Sequence, residues 1–287
     1  MRRILAVVLA LLIMLPMGGF AKKAVAVAFD DPVLEAVIRG DLNIPEGDVT
    51  DKDLAKLTGL GIGRDYQENP DPNTQVHSIA VLANCKNLKS IQLNFQNISD
   101  ITPLAKLTKL KSLQLGGNPI NDISALSGLT NLEELAIFNC QAADYSPLSK
   151  LKKLRELYLD FSTIESLEPL SKLTKLQKLG LVKTPVTDVT PLAKLKSLKA
   201  LWLKDSAVKD YSPLSKIASK LKELDFDPNQ EPADPGELVV FDDPLLEKAI
   251  RDAIGKPEGD ILSGELEAIT GLSANQDYQQ DPPAGTQ

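Results

Sequence analysis

The chain has 287 residues and a formal net charge of −7, and it is 43% hydrophobic, 25% charged and 5% aromatic. These proportions are typical of a folded protein of one or two domains, and the scarcity of rings favours a core built from a repeated aliphatic side chain. Residues 82–227 hold 21 Lys/Arg against 15 Asp/Glu, but these lysines recur inside Lys-Leu repeats. We therefore interpret this basic stretch as a solvated face and expect no nucleic-acid partner.

The first predicted element is a secretory signal peptide over residues 1–21. Arg2 and Arg3 supply its positive charge, residues 4–15 are an unbroken run of twelve apolar residues, and Gly19 and Ala21 are small residues that favour cleavage after Ala21. An uncleaved anchor is the alternative, but twelve residues are short of the ~20 that span a bilayer. We expect a protein that is secreted, extracellular or in the cell envelope, with no integral membrane segment after the signal is removed.

The next segment, residues 22–80, is predicted to be a helical amino-terminal cap. Asp31 followed by Pro32 is the signature of a helix start, with an N-cap residue and proline at the first helical position. A second short helix is expected over residues 51–57. An array of repeats exposes apolar side chains at its ends, so a covering element of this kind is needed.

Residues 81–227 form an array of about seven copies of a 22-residue repeat. The period is marked by a proline or alanine that begins successive copies: Pro103, Ala125, Pro147, Pro169, Pro191 and Pro213. One copy contains Leu110-Lys-Ser-Leu113-Gln-Leu115-Gly-Gly-Asn118, which matches the leucine-rich-repeat signature. The last copy is irregular, with one extra residue around Ala218 and Ser219.

Each position of the repeat has an expected structural role. Leu113 and Leu115 alternate with polar neighbours, which predicts a short strand with its leucines inward, and Asn118 follows in the turn. Thr102 and its equivalents are predicted to be N-cap residues of a short helical turn. The fold class is therefore an α/β solenoid, a curved leucine-rich-repeat coil. A parallel sheet forms its concave face, short helical or 3-10 turns form its convex side, and a helical cap precedes it.

Cys85 and Cys140 are the only cysteines, and an even number in a secreted protein raises the possibility of a disulfide. In the repeat register, however, Cys85 lies at the apolar position of Leu107 and Cys140 at the turn position of Asn118. Because they are two repeats apart and on different sides of the coil, we expect two free thiols.

A Pro-rich linker over residues 228–240 precedes a second cap-like segment, residues 241–287, which repeats residues 29–75 at an offset of 212. Phe241-Asp-Asp-Pro244, for example, matches Phe29-Asp-Asp-Pro32. One hypothesis is that this segment is the cap of a second array that the chain lacks. The rival hypothesis is that it folds back and closes the first array.

The 22-residue period, the helical cap and the sequence Asn118-Pro-Ile-Asn-Asp-Ile-Ser-Ala125 resemble the internalin family of bacterial leucine-rich-repeat proteins. The resemblance covers about residues 29–227. It implies a secreted or wall-attached protein that binds a host or cell-surface receptor through the concave face of its array.

The strand register places a group of aromatic and charged residues in outward-facing rows beside the inward leucines. Exposed rings on such a surface are typical anchors of protein interfaces, so these residues are the predicted ligand site, although rings that stack on one another and shield the sheet are the alternative. The site comprises Phe95, Phe138, Asn139, Tyr158, Asp160, Phe161, Lys183, Trp202 and Lys204.

Catalytic chemistry is not expected. His77 is the only histidine and lies between the cap and the first repeat, where no nucleophile-base arrangement is indicated. Neither zinc-ligand spacing nor a phosphate-binding glycine loop is present, so we predict no metal and no cofactor. The favoured function is binding of a protein ligand, and a carbohydrate-binding protein or a structural protein of the cell envelope is the alternative.

Overall fold

The computed structural model describes residues 24–62, 71–228, 238–266 and 269. The chain divides into two compact units, Met1–Tyr158 and Leu159–Gln287. The predicted signal peptide, most of the predicted linker and the end of the second cap-like segment lie outside the described residues.

The first unit begins with two helices, α1 (Pro32–Leu42) and α2 (Asp51–Leu54). Helix α1 starts as the sequence predicts, with Asp31 as N-cap and proline at its first position. Helix α2 is shorter than predicted, and it begins in a reciprocal capping box between Thr50 and Asp53. Leu34 and Ile38 form the buried face of α1.

Asp31 joins the cap to the first repeat. One of its carboxylate oxygens accepts the amide of Leu34 at 2.9 Å, and the other accepts the amides of His77 at 2.7 Å and Ser78 at 3.1 Å. Burial raises the pKa of Asp31, but the backbone amides that point at the carboxylate outweigh burial and hold the pKa below its usual value. His77 thus contributes its backbone to a structural junction.

Five parallel strands follow one another in the first unit: β1 (Gly59–Gly61), β2 (Ser90–Gln92), β3 (Ser112–Gln114), β4 (Glu134–Ala136) and β5 (Glu156–Tyr158). From β2 onward, each residue pairs with its equivalent 22 positions later, as Leu113 does with Leu135. Strand β1 was not predicted, because the cap sequence around Leu60 carries no repeat signature. It pairs with β2 and so extends the ladder into the cap.

The second unit contains β6 (Lys178–Gly180), β7 (Ala200–Trp202) and β8 (Glu223–Leu224), which also pair in parallel. A one-turn helix, α3 (Ser215–Ala218), lies between β7 and β8 and accommodates the extra residue of the irregular last copy. Beyond β8 come α4 (Pro244–Ile254) and α5 (Ser263–Leu266).

The interior is built from the leucine and isoleucine positions that the repeat predicts, and the leucine-rich-repeat fold class is confirmed. In the copy that starts at Pro103, all seven apolar residues are at most 1% exposed: Leu104, Leu107, Leu110, Leu113, Leu115, Ile120 and Ile123. The first six copies bury the same positions, and each rung of side chains packs on the next, whereas Leu224 in the irregular last copy is 37% exposed.

The side opposite the strands consists of 3-10 turns, one in each repeat. Their bounds are Ala80–Asn84, Thr102–Leu104, Ser124–Gly128, Ser146–Lys150, Glu168–Leu170, Thr190–Lys194 and Ser212–Leu214. The prediction that Thr102 and its equivalents are N-caps was wrong, since these residues are the first of each turn. The preceding residue is the cap position and makes no side-chain capping bond.

In most repeats, the backbone amide of the first residue of the 3-10 turn is capped by the carboxylate of the residue two positions before it. The side chain of Asp100 accepts the amide of Thr102 at 2.8 Å, and Asp122, Asp144, Asp188 and Asp210 repeat this contact at 2.7–2.8 Å. A carboxylate accepts an amide proton more strongly than a hydroxyl does, which explains why the repeat carries aspartate at this position.

In several repeats the turn after the strand is held by hydrogen bonds of a buried side chain, as the sequence predicts. The Asn118 amide group donates to the carbonyls of Leu93 and Leu115, both at 2.8 Å, and its oxygen accepts the amide of Ile98 at 3.1 Å. Cys140 takes the equivalent place and donates from Sγ to the Ile120 carbonyl at 3.2 Å. Both cysteines are free and buried.

Candidate binding surface

The outer face of each unit consists of the residues that flank the inward leucines of the strands. In the six repeats that contain β2 to β7, the outer face ends at a residue with positive φ, three positions beyond the strand. These residues are Phe95, Gly117, Asn139, Phe161, Lys183 and Asp205, with φ between 52° and 71°. The left-handed conformation suits glycine and asparagine, but it is strained for a phenylalanine or a lysine.

This conformation was missed by the sequence analysis, which counted the position as one more outward row of the strand. The signal that could have revealed it is the presence of Gly117 and Asn139 at equivalent places, since these are the residue types that tolerate positive φ best. Phe95, Phe161 and Lys183 occupy the position despite its cost, and such strain is concentrated at functional sites.

In the first unit, Phe95 and Phe138 form a pair of rings on the outer face. Their centroids are 5.4 Å apart and the planes are inclined by 54°. The rings fill the space left by two adjacent glycines: a Cβ placed on Gly116 would lie 2.0 Å from Phe138, and one on Gly117 would lie 2.4 Å from Phe95. Each of these two predicted site residues thus packs against the other ring and against a glycine.

Tyr158 and Asn139 are the other predicted site residues of the first unit. Tyr158 is half-buried at the end of β5, and its hydroxyl donates to the Glu156 carboxylate at 3.0 Å. Asn139 is exposed in the left-handed turn after β4.

In the second unit, Phe161 is the prominent exposed ring. Its side chain is 49% exposed, and the ammonium nitrogen of Lys183 lies 5.4 Å from the ring centroid. This distance is within the range of a cation–π contact. Phe161 and Lys183 occupy the same left-handed position in neighbouring repeats. Since that position ends the outer face in each repeat, the pair lies at one edge of this face.

Trp202 and Lys204 complete the predicted site in the second unit. Trp202 is half-buried at the end of β7, opposite Gly180 in the strand register, and Lys204 is exposed two residues later. Sequence reasoning placed Phe161, Lys183, Trp202 and Lys204 in outward rows of the array, and in the structure all four belong to the second unit.

Asp160, the remaining predicted site residue, has its carboxylate directed at the backbone. It accepts the amide of Val182 at 2.9 Å, and a Cβ on Gly180 would lie 2.5 Å from its Oδ2. Burial raises the pKa of Asp160, with a further contribution from the negative charge of Asp225, and these effects outweigh the hydrogen bonds that lower it. Asp160 is thus engaged in joining two rungs of its own unit.

Two polar residues outside the predicted set do similar work. Asn94 accepts the amide of Gly116, 22 residues later, at 2.8 Å, and Asp160 makes the same contact with Val182 at the same position of the repeat. Asp225 accepts the amides of Leu203 at 2.7 Å and Lys204 at 3.1 Å. Backbone amides at the end of a sheet need hydrogen-bond acceptors, and this requirement could have identified Asn94 and Asp225 from the sequence.

No protein of curated function matches this sequence. A family model of leucine-rich repeats in two copies matches residues 108–150. Among solved structures, an internalin (inlF) from Listeria monocytogenes is similar at 35% identity and a TM-score of 0.63, over 68% of this chain and 56% of that one. An internalin C2 (inlC2) from the same species is similar at 28% identity and a TM-score of 0.54, over 69% of this chain and 93% of that one.

The parallel strands, the buried leucine positions and the matching family model define a leucine-rich-repeat protein, a class whose fold implies a protein-interaction module. Within this class the chain is internalin-like, as the sequence predicts. It spans a little over half the length of the first internalin, 56%. In the part of the chain that the structure describes, no helix is long and apolar enough to cross a membrane.

Proposed function

We propose that this chain is a secreted interaction protein that binds a protein partner through the outer face of its second unit, with Phe161 as the anchor. Secretion is proposed from the leader-like sequence of residues 1–21. Phe161, Lys183, Trp202 and Lys204 form the contact surface.

The observation that carries this proposal is the state of Phe161. Phe161 is 49% exposed, so the core does not require its ring, and its φ of 59° is unfavourable for a large side chain. At the equivalent positions of the first unit, Gly117 and Asn139 show that the turn does not require a ring, and the ring of Phe95 packs against Phe138. A partner that buries this ring supplies the reason for retaining it.

The surroundings of Phe161 suit a protein interface. The restricted backbone and the nearby Lys183 hold the ring in place, which lowers the entropy lost when a partner covers it. Exposed lysines at positions 183 and 204 flank the aromatic residues with positive charge. The matching partner is an apolar pocket with carboxylates at its rim, an arrangement common at the centre of protein interfaces.

The test compares capture by the wild-type chain with capture by Phe161→Gly. Glycine fits the left-handed turn, so the variant is expected to fold with a stability within about 1 kcal/mol of wild type. Each immobilised protein is exposed to detergent extracts of biotin-labelled cell surfaces, and bound proteins are identified by mass spectrometry. Phe95→Gly, which removes a ring at the equivalent turn of the first unit, is the matched control.

We expect a defined protein that the wild type and Phe95→Gly retain and that Phe161→Gly loses. Equal retention by all three chains would contradict the proposed anchor. A glycan array probed with the same proteins covers the carbohydrate alternative: glycan binding that depends on Phe161, with no protein retained, would contradict a protein partner.

A further inference from the structure

The second cap-like segment reproduces the internal architecture of the first cap. Helix α1 has a left-handed C-cap at Asn43, and α4 has one at Gly255, 212 residues later. In the first cap, Arg39 bonds Glu35 at 2.7 Å and the carbonyl of Gly47 at 3.0 Å. In the second, Arg251 bonds Glu247 at 2.9 Å and the carbonyl of Gly259 at 2.8 Å.

The short antiparallel bridge of the first cap is also repeated. Ala26 bridges Thr50 in the first cap, and Leu238 bridges Leu262 in the second. The bond from the Val27 amide to the Val49 carbonyl, 2.9 Å long, has its equivalent between Val239 and Ile261 at 2.8 Å. The described part of the segment, residues 238–266, therefore has the internal contacts of a cap.

The two caps differ in the face that meets a repeat. Leu34 of α1 is 0% exposed, whereas its equivalent Leu246 in α4 is 46% exposed, and the neighbouring Leu245 is 61% exposed. Leu54 of α2 is likewise buried, while its equivalent Leu266 is half-buried. Ile250, the equivalent of Ile38, is buried in both caps, so the difference lies at Leu246 and Leu266, which the second cap leaves partly uncovered.

The N-cap aspartates show the same difference in their hydrogen bonds. In Asp31, Oδ2 accepts the amides of His77 and Ser78 at the edge of the first repeat. Asp243 uses Oδ1 for the amides of Leu245 and Leu246, and within the described residues its Oδ2 receives no hydrogen bond. Exposed leucines and an acceptor that receives no bond from any described residue therefore lie together at the start of α4, as they would at the start of α1 if the first repeat were removed.

We propose that the second cap is a docking module for the amino-terminal edge of a leucine-rich-repeat array. The occupant is defined by what covers the equivalent face in this chain: a repeat that offers two consecutive backbone amides, as His77 and Ser78 do, beside buried side chains such as Val76 and Ile79. Such an edge covers Leu246 and donates to Oδ2 of Asp243. This role is independent of the partner-binding face around Phe161.

The test extends the full chain with a second copy of residues 76–228 placed directly after Gln287, where the offset of 212 continues the register of the cap. A carboxy-terminal affinity tag reports proteolysis of the added copy. We expect the added copy to resist protease, and Leu246→Asp in the same extended chain to speed its cleavage about ten-fold or more, since cleavage tracks the population of the open form. Asp252→Asn, at an exposed position of α4, is the matched control and should leave cleavage unchanged.

The natural chain provides the second arm. Leu34→Asp should open the first array to protease, because that array depends on its cap, whereas Leu246→Asp should leave the array's melting temperature unchanged. An added copy that is degraded as fast with intact α4 as with Leu246→Asp would overturn the proposal. In the natural chain, a lower melting temperature for Leu246→Asp would show that α4 folds back on its own array. If the natural chain is a dimer and Leu246→Asp is a monomer, the occupant is a second copy of the chain. Either result would overturn the proposal.

Discussion

Replacing Gly116 with alanine tests the packing of the ring pair on the outer face of the first unit. A Cβ at this position would lie 2.0 Å from Cε1 and 2.2 Å from Cδ1 of Phe138, far inside the ~3.5–4.0 Å at which carbon atoms attract. Phe138 is half-buried, so the least costly response is for its ring to move away from Gly116 and lose its contact with Phe95. The lost packing predicts that Gly116→Ala destabilises the protein by roughly 1–2 kcal/mol.

A double-mutant cycle measured by urea unfolding isolates this effect. Phe138→Ala removes the ring, so adding Gly116→Ala to it should cost nothing further, and the reduced freedom of the unfolded chain can make it slightly stabilising. The coupling energy should therefore nearly equal the cost of Gly116→Ala alone. A cost of Gly116→Ala that is the same with and without the Phe138 ring would refute the steric reasoning.

Three further predictions concern residues inside the repeats. Asn118→Ala should lower the free energy of unfolding by about 3 kcal/mol, because it removes three buried hydrogen bonds. Ser162→Ala at the equivalent turn should be neutral or stabilising, because that buried hydroxyl has no partner in the described part of the chain. Equal losses of stability for the two variants in urea unfolding would contradict both expectations. Burial raises the folded pKa of Asp160, so its ionised form weakens the fold at neutral pH and protonation relieves this cost as the pH falls through that pKa. Asp160→Asn should therefore raise the melting temperature at pH 7 by an amount that shrinks toward pH 4, and a gain that does not change with pH would argue against a titrating carboxyl. Burial raises the pKa of Cys85 to about 12, so the folded protein should resist iodoacetamide at pH 8 and react after unfolding; labelling of native Cys85 seen by mass spectrometry would show that the site opens.

The sequence alone predicted the parts of the fold that depend on period. A 22-residue spacing determines which side chains share the interior, so Leu113, Leu115 and Asn118 were assigned correctly before their contacts were known. The start of α1 was also predictable, because Asp31 and Pro32 act within a single turn of chain. Helix-capping residues and the spacing of a repeat can both be recognised in a single sequence.

The details of the outer face depended on contacts between neighbouring repeats and were not predictable in the same way. A period shows that Phe138 and Gly116 are aligned, but whether the ring covers the glycine or faces solvent depends on the space that both neighbours leave. The capping role of Asp100 was missed because the adjacent hydroxyl of Thr102 fits the usual N-cap rule. The left-handed turn at Phe161 was missed because phenylalanine is a poor indicator of positive φ.

The most direct test of the proposed binding face is site-specific photocrosslinking from the position of the anchor itself. Benzoyl-phenylalanine replaces Phe161 in one variant. In a second variant it replaces Lys172, an exposed residue on the side of the 3-10 turns. Both variants are irradiated on the surface of cells that bind the wild-type chain. The account predicts one crosslinked protein species from position 161 and none from position 172. Crosslinks from position 172 alone, or the absence of any crosslink from position 161 while the chain stays bound, would contradict it.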